Sequence, residues 1–247
     1  MMNLPRFKCL ESRLWHWALL PALLLATSLT HAQSSCNSDG QPMPSALFER
    51  FINADCATCW TDTATPIAPP GALVLDWIVP GGLGDEAALS AAASSDAPSR
   101  LQALQRLRPA TQAHQESRVD ALPGATLRVA RGPAVNGYVG VSISLTLPRG
   151  TSLAWPLSGW VVLMEPLPRG TEGSPVPRNL IRNALQPLWN GSEQLSNRDQ
   201  LIFKDLRAMS FPEGTHADRL EVAIWVQDAQ GRILAATQSA CPPEDKN

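Results

Sequence analysis

Two short apolar stretches dominate the first half of the chain, Ala46 to Asn53 (ALFERFIN) and Gly71 to Val79 (GALVLDWIV), and both read as strands. The second is almost continuously apolar, as expected of a strand buried on both faces. Between them lies Ala54-Asp55-Cys56-Ala57-Thr58-Cys59-Trp60, followed by Pro66, Pro69 and Pro70. Any helix after Cys59 is brief, because each proline removes a backbone donor and blocks continuation. Pro80-Gly81-Gly82 ends the second strand, and Asp85 to Ala93 and Pro98 to Leu107 then read as helices: both are rich in Ala and Leu, with acidic residues or proline at their starts. The order to residue 107 is β-α-β-α. Residues 109 to 122 are polar, contain His114 and read as a connecting segment.

After Pro123-Gly124 the texture becomes β. Strands are predicted over Ala125 to Ala130, Val139 to Leu147, Trp160 to Met164, Leu220 to Gln227 and Ile233 to Thr237. Asp228-Ala229-Gln230-Gly231 joins the last two as a hairpin. Strands at this spacing predict an antiparallel β-sandwich of about 100 residues.

Residues 1 to 32 stand apart from this pattern. Arg6, Lys8 and Arg13 charge the leading segment, Ala18 to Leu29 form an apolar run too short to span a bilayer, and Thr30-His31-Ala32 offers a cleavage site. The segment reads as a signal peptide cleaved after Ala32, which implies a periplasmic or secreted protein. The short run and Pro21 argue against an uncleaved anchor, and the lack of an apolar residue three positions before Cys36 argues against acylation there. The remaining 215 residues contain no apolar run long enough for a membrane span.

The whole chain has 247 residues, 44% of them hydrophobic and 17% charged, with a net charge of -2. This balance excludes a collagen-like, disordered or polytopic membrane chain. Loss of residues 1 to 32 leaves 17 basic against 21 acidic side chains, a net charge of -4. Without a basic patch there is no electrostatic footprint for nucleic acid, so partners are sought among envelope proteins.

Candidate chemistry rests on the cysteines. The mature chain keeps Cys36, Cys56, Cys59 and Cys241, an even number suited to an oxidising compartment. Four cysteines allow three connectivities. Proximity favours Cys56 with Cys59, leaving Cys36 for Cys241. Cys-x-x-Cys directly after a strand is also how thioredoxin-like oxidoreductases place their thiols: a helix N-terminus lowers the pKa of the first, and the second resolves the mixed disulfide. On that reading Cys56 is the catalytic nucleophile, Cys59 the resolving thiol, and Pro123 the candidate for the substrate-holding cis-proline. Asp55 beside Cys56 and the prolines after Cys59 oppose it, and an inert local bridge is the competing reading.

Other patterns carry less. Gly82-Leu83-Gly84-Asp85-Glu86-Ala87 matches a dinucleotide-binding pattern, but its acidic residues repel a pyrophosphate and no acidic strand end follows. It is read as a turn. Trp60 after Cys59 excludes covalent haem attachment, and His114 and His216 lack neighbouring ligands, so no cofactor or metal is predicted. Asn190-Gly191-Ser192 is a sequon that reads as a turn. Exposed tryptophans among Trp155, Trp160 and Trp189 would suggest a carbohydrate platform.

Two stretches together resemble an uncharacterised family of secreted bacterial proteins. They are LFERFINADCATC with ALVLDWIV, and VVLMEPLPRGTEG with RNLIRNALQPLW and EVAIWVQDAQGRILAA, including the Asn-aliphatic-aliphatic-Arg element Asn179 to Arg182. The resemblance implies a degenerate thioredoxin-like domain joined to a C-terminal β-sandwich, outside the cytoplasm. The expected architecture is therefore α+β: a signal peptide over 1–32, a reduced thioredoxin-like β-α-β-α region over 33–122 and an antiparallel β-sandwich over 123–247. Thiol-disulfide exchange through Cys56 and Cys59 and non-catalytic partner binding are the two expected functions.

Overall fold

The computed structural model describes residues 36–148, 150, 152–190, 195–197 and 200–241; the leader read over 1–32 and residues 191 and 192 of the sequon lie outside the described residues. In chain order the elements are β1 (Cys36–Asn37), β2 (Ala46–Asn53), β3 (Ala72–Val79), α1 (Ala97–Ala103), β4 (Gln112–Arg118), β5 (Thr126–Val135), β6 (Tyr138–Pro148) and β7 (Leu157–Leu167). There follow β8 (Arg178–Leu185), β9 (Leu188–Trp189), β10 (Leu195–Asn197), β11 (Gln200–Ser210), β12 (Glu221–Gln227) and β13 (Ile233–Gln238).

The strands form two sheets. The smaller has the order β1-β5-β6-β11-β10. The larger runs β13-β12-β7-β8-β3-β2-β4, with β9 added beside β7. Strand β2 pairs in parallel with β3 along its whole length, from Ala46 opposite Ala72 to Asn53 opposite Val79, and β3 meets β8 in parallel at Asp76 and Leu180. All other pairs within both sheets are antiparallel. The chain beyond β4 then joins the two ends of the larger sheet: Val119 bridges Ile233, and the Asp120 and Leu122 amides donate to the Ile233 and Leu234 carbonyls at 2.8 and 3.0 Å. This contact occupies backbone carbonyls of β13 that an open edge would leave unpaired, while β4 itself stays an edge strand.

This architecture corrects the expected α+β class. One α-helix, of seven residues, is present among the described residues, and strands from residues 46–118 and 157–238 share a single sheet rather than forming a thioredoxin-like unit and a separate sandwich. Three local causes account for the difference. After Cys59 the chain makes successive tight turns instead of a helix. The Ala-rich segment 85–93 forms only two short 3-10 turns, Gly84–Glu86 and Ser90–Ala92, because its backbone is tied to strand ends: the Leu89 amide donates to Ala54 and the Ser94 amide to Ile78. The polar segment expected as a connector contains β4, an edge strand held to β2 through its backbone and carrying almost no apolar pattern.

Alternation in the larger sheet sends its side chains into different cores. One face buries Leu47, Phe51, Leu75, Trp77, Met164 and Trp225 together with Ala97 and Leu101 of α1. The other face buries Val161, Leu163, Val222 and Ile224 against Val141, Ile143 and Leu145 of the smaller sheet. Helix α1 also brings Arg100 inside, where its guanidinium pairs with both oxygens of Glu49 at 2.8 and 2.7 Å and lies 5.1 and 4.8 Å from the Trp160 and Trp225 rings. Trp160 and Trp189 are buried and Trp155 packs half-buried on Phe203, so these tryptophans form no exposed carbohydrate platform. The predicted hairpin is present: the Asp228 carboxylate accepts from the Gln230 and Arg232 amides, and Gly231 takes the required positive φ of 79°.

Asp96, at the start of α1, accepts the Ala184 amide at 2.8 Å and so anchors the helix to β8. Burial raises its pKa above the ordinary 3.8, against the lowering effect of that hydrogen bond. A carboxyl group with a raised folded pKa binds protons more tightly in the folded state, so stability declines as pH rises from below 3.8 through the folded value. Asp96→Asn, which keeps an acceptor but no charge, is therefore expected to gain stability relative to the parent between about pH 3 and 7. Urea unfolding of both proteins across that range checks the sign.

Candidate functional site

The cysteine loop begins where β2 ends. Asn53 directs its amide nitrogen to the Pro109 carbonyl at 3.1 Å, while its side-chain oxygen accepts the Asp55 amide at 2.9 Å. The Cys56 amide then donates to Asn53, the Cys59 amide to Cys56 and the Thr61 amide to Thr58, so the chain advances by consecutive three-residue turns. Cys56 and Cys59 are disulfide-bonded, with Cα atoms 5.4 Å apart; Cys36 and Cys241 form the second bridge. Cys59 is 4% exposed and packs with Ile52, Ala54, Trp60, Ile78 and Leu180, whereas Cys56 is half-buried beside a shallow depression lined by Thr58, Thr61, Asp62 and Gln112.

No helix N-terminus stands at Cys56, so the dipole expected to lower its thiol pKa is missing. The expected effect of Asp55 also takes another form. Its carboxylate accepts the Gly82 and Leu83 amides at 2.7 and 3.2 Å, so the glycine turn that mimics a dinucleotide motif already holds an anion from the protein itself. Gly81 lies against it, and a Cβ there would overlap the Asp55 carboxylate and push it off these amides. Pro123 follows a trans peptide bond; the cis bond among the described residues is Trp155–Pro156, at the start of β7.

A buried ionic cluster holds the loop down. Asp76 on β3 is fully buried and accepts Arg50 Nε and Nη2 at 2.8 and 2.9 Å, Arg178 Nη1 at 3.2 Å and the Asn179 amide at 2.8 Å. Arg178 also donates to the Ser174 hydroxyl and the Trp60 carbonyl, and its guanidinium lies 5.0 Å from the Trp60 ring centre. Arg50 donates further to the Pro66 and Pro177 carbonyls at 3.3 and 3.0 Å. Segments far apart in sequence are thus held by two guanidiniums around one carboxylate.

Beside the loop lies a cleft of about 300 Å³ that includes Trp60, Glu165, Arg182, Glu213, His216 and Arg219. At its base the buried Glu165 accepts two bonds from Arg182, at 2.8 and 2.6 Å, and one from the His216 amide at 3.2 Å. The Asn179 to Arg182 element therefore serves both places, with Asn179 on Asp76 and Arg182 on Glu165. Neither cluster is visible from spacing, because each partner comes from a different strand; Asp76 and Glu165, charged residues inside otherwise apolar strands, are the signal available. Among the described residues no group of three or more His, Cys, Asp or Glu side chains is placed to hold a metal ion, and no helix is long and apolar enough to cross a membrane. The chain matches no protein-family model, no curated protein and no solved structure.

Proposed function

We propose that the protein is a non-catalytic, extracytoplasmic partner-binding module whose two disulfides are structural. The observation that carries this reading is that Cys56 begins no helix: the chain around it runs in tight turns, and Cys59 packs into an apolar cluster. Such a bridge lacks the electrostatic stabilisation of a leaving thiolate that redox-active pairs use. Two disulfides accord with an oxidising compartment. The signal peptide read over residues 1 to 32 directs the mature chain there, to the periplasm or beyond, where envelope proteins are the available partners.

The competing reading, thiol-disulfide exchange, has one observation in its favour, the half-exposed Cys56 beside an open depression. Equilibration with redox buffers separates the two. A structural Cys56–Cys59 bridge is expected to have a potential below about -300 mV. Cys56→Ser is expected to leave the rate of disulfide exchange with reduced substrate proteins at background. A potential near those of known exchange proteins, with exchange lost in Cys56→Ser, would replace the binding reading with a redox one.

A further inference from the structure

The ionic cluster around Asp76 is unbalanced. Two guanidiniums, from Arg50 and Arg178, share one carboxylate, and all three side chains are at least nine-tenths buried. The nearby buried acids are committed elsewhere, Glu49 to Arg100 and Glu165 to Arg182. The remaining partners of the two arginines are neutral carbonyl and hydroxyl oxygens. The excess positive charge is felt within the cluster: burial lowers the Arg178 pKa, Asp76 raises it, and Arg50 lowers it further.

This charge borders a pocket. Arg50 lines a cavity of about 190 Å³ together with Ile67, Val74, Arg169, Val176 and Asn179. Arg50 Nη1 has one partner among the described residues, the Pro66 carbonyl at 3.3 Å, which leaves its second N–H unused. Asn179 spends its side-chain nitrogen on the Val74 carbonyl at 2.9 Å, and its side-chain oxygen has no donor among the described residues. Arg169 is exposed and forms no ion pair among the described residues. The rest of the lining is aliphatic, with Ile67 79% exposed at the mouth and Val176 buried.

We propose that this pocket binds a monocarboxylate carried on a short aliphatic group, the carboxylate at Arg50 and Arg169 and the aliphatic part against Ile67, Val74 and Val176. A carboxylate supplies the negative charge that the cluster lacks and accepts the unused guanidinium donor, as charge-assisted pairing to arginine favours. The volume equals about six water-sized units, enough for a branched chain of about four to six carbons. A free aliphatic acid and the C-terminal residue of a polypeptide ending in Leu or Val present the same chemistry. The cleft at Glu165 offers no comparable imbalance, since its buried carboxylate is fully matched.

The assignment rests on the reading of the protein as a binding module, and its test is independent of the redox measurement. Calorimetric or NMR titration of the full chain uses four probes: 4-methylpentanoate, its amide, the peptide acetyl-Ala-Ala-Leu with a free C-terminus, and the same peptide amidated. Both acids are expected to bind with Kd on the order of 1 mM or tighter and both amides at least about tenfold more weakly. Tighter binding of the peptide acid assigns the source to a chain terminus, and tighter binding of 4-methylpentanoate assigns it to a free acid. Arg169→Glu and Ile67→Ser change exposed residues and leave the buried cluster intact; each is expected to weaken the acids by about three- to tenfold. Equal binding of acid and amide, no binding of either acid, or unchanged affinity in both variants overturns the proposal. If that happens while the Cys56–Cys59 potential stays below about -300 mV, the pocket assignment alone fails.

Discussion

Asp76→Asn is expected to cost about 3–5 kcal/mol, because it leaves two buried guanidiniums without their shared counter-charge. Against a domain stability of roughly 5–15 kcal/mol, that loss brings the protein close to unfolding at ambient temperature. The measurement is the urea midpoint, with an unchanged slope showing that the same folded state is being compared. Arg178→Lys is expected to fall in the same direction. A lysine ammonium is a single point charge and cannot keep the Ser174, Asp76 and Trp60 contacts that the planar guanidinium makes together. If Asp76→Asn unfolds at the parental urea concentration, the cluster contributes no net stability and the loop is held by its apolar contacts alone.

The second large effect is expected from the bridge between Cys36 and Cys241, which are 205 residues apart. On loop-closure entropy, a closed loop of that size restricts the unfolded chain by about 5 kcal/mol, whereas the three-residue separation of Cys56 and Cys59 is worth about 2. The Cys36→Ser/Cys241→Ser double variant is therefore expected to lose the most stability of the two bridge deletions, by a margin of about 3 kcal/mol from chain entropy alone. Urea unfolding of the two double variants under non-reducing conditions gives the comparison. Equal losses would mean that the apolar packing of Cys59, not chain entropy, sets the contribution of the shorter bridge.

How much of this was legible in the chain depends on which kind of information each element carries. The strands over Ala46 to Asn53, Ala72 to Val79 and Ile233 to Gln238 were marked by apolar composition, and the hairpin before the last by its Asp-Ala-Gln-Gly turn. Strand β4 was not, since an edge strand such as Gln112–Arg118 is held by backbone pairing and shows few apolar residues. Strands β8 and β11 alternate polar and apolar residues irregularly, with β8 carrying Arg178, Asn179 and Arg182 because it serves the two ionic clusters, and Asn183 because it donates to the Ser210 carbonyl of β11. Alanine content suggested a helix over 85–93, and tertiary hydrogen bonds to β2 and β3 overrode it. Both cysteine pairings followed from proximity and elimination. The arrangement of Asp76 between Arg50 and Arg178 did not, because its members lie 26 and 102 residues from Asp76 and only the pairing of β3 with β2 and β8 brings them together.

The bridge from Cys36 to Cys241 also decides how the molecule carries mechanical load. Cys36 starts β1 and Cys241 follows the short pairing of Asn37 with Ala240, so the first and last described residues are covalently joined. A pulling force applied through the segments before Cys36 and after Cys241 passes across two sulfurs and does not reach the strands between them. Tension applied at these two cysteines would leave both sheets and the Arg50 pocket undistorted until the disulfide is reduced.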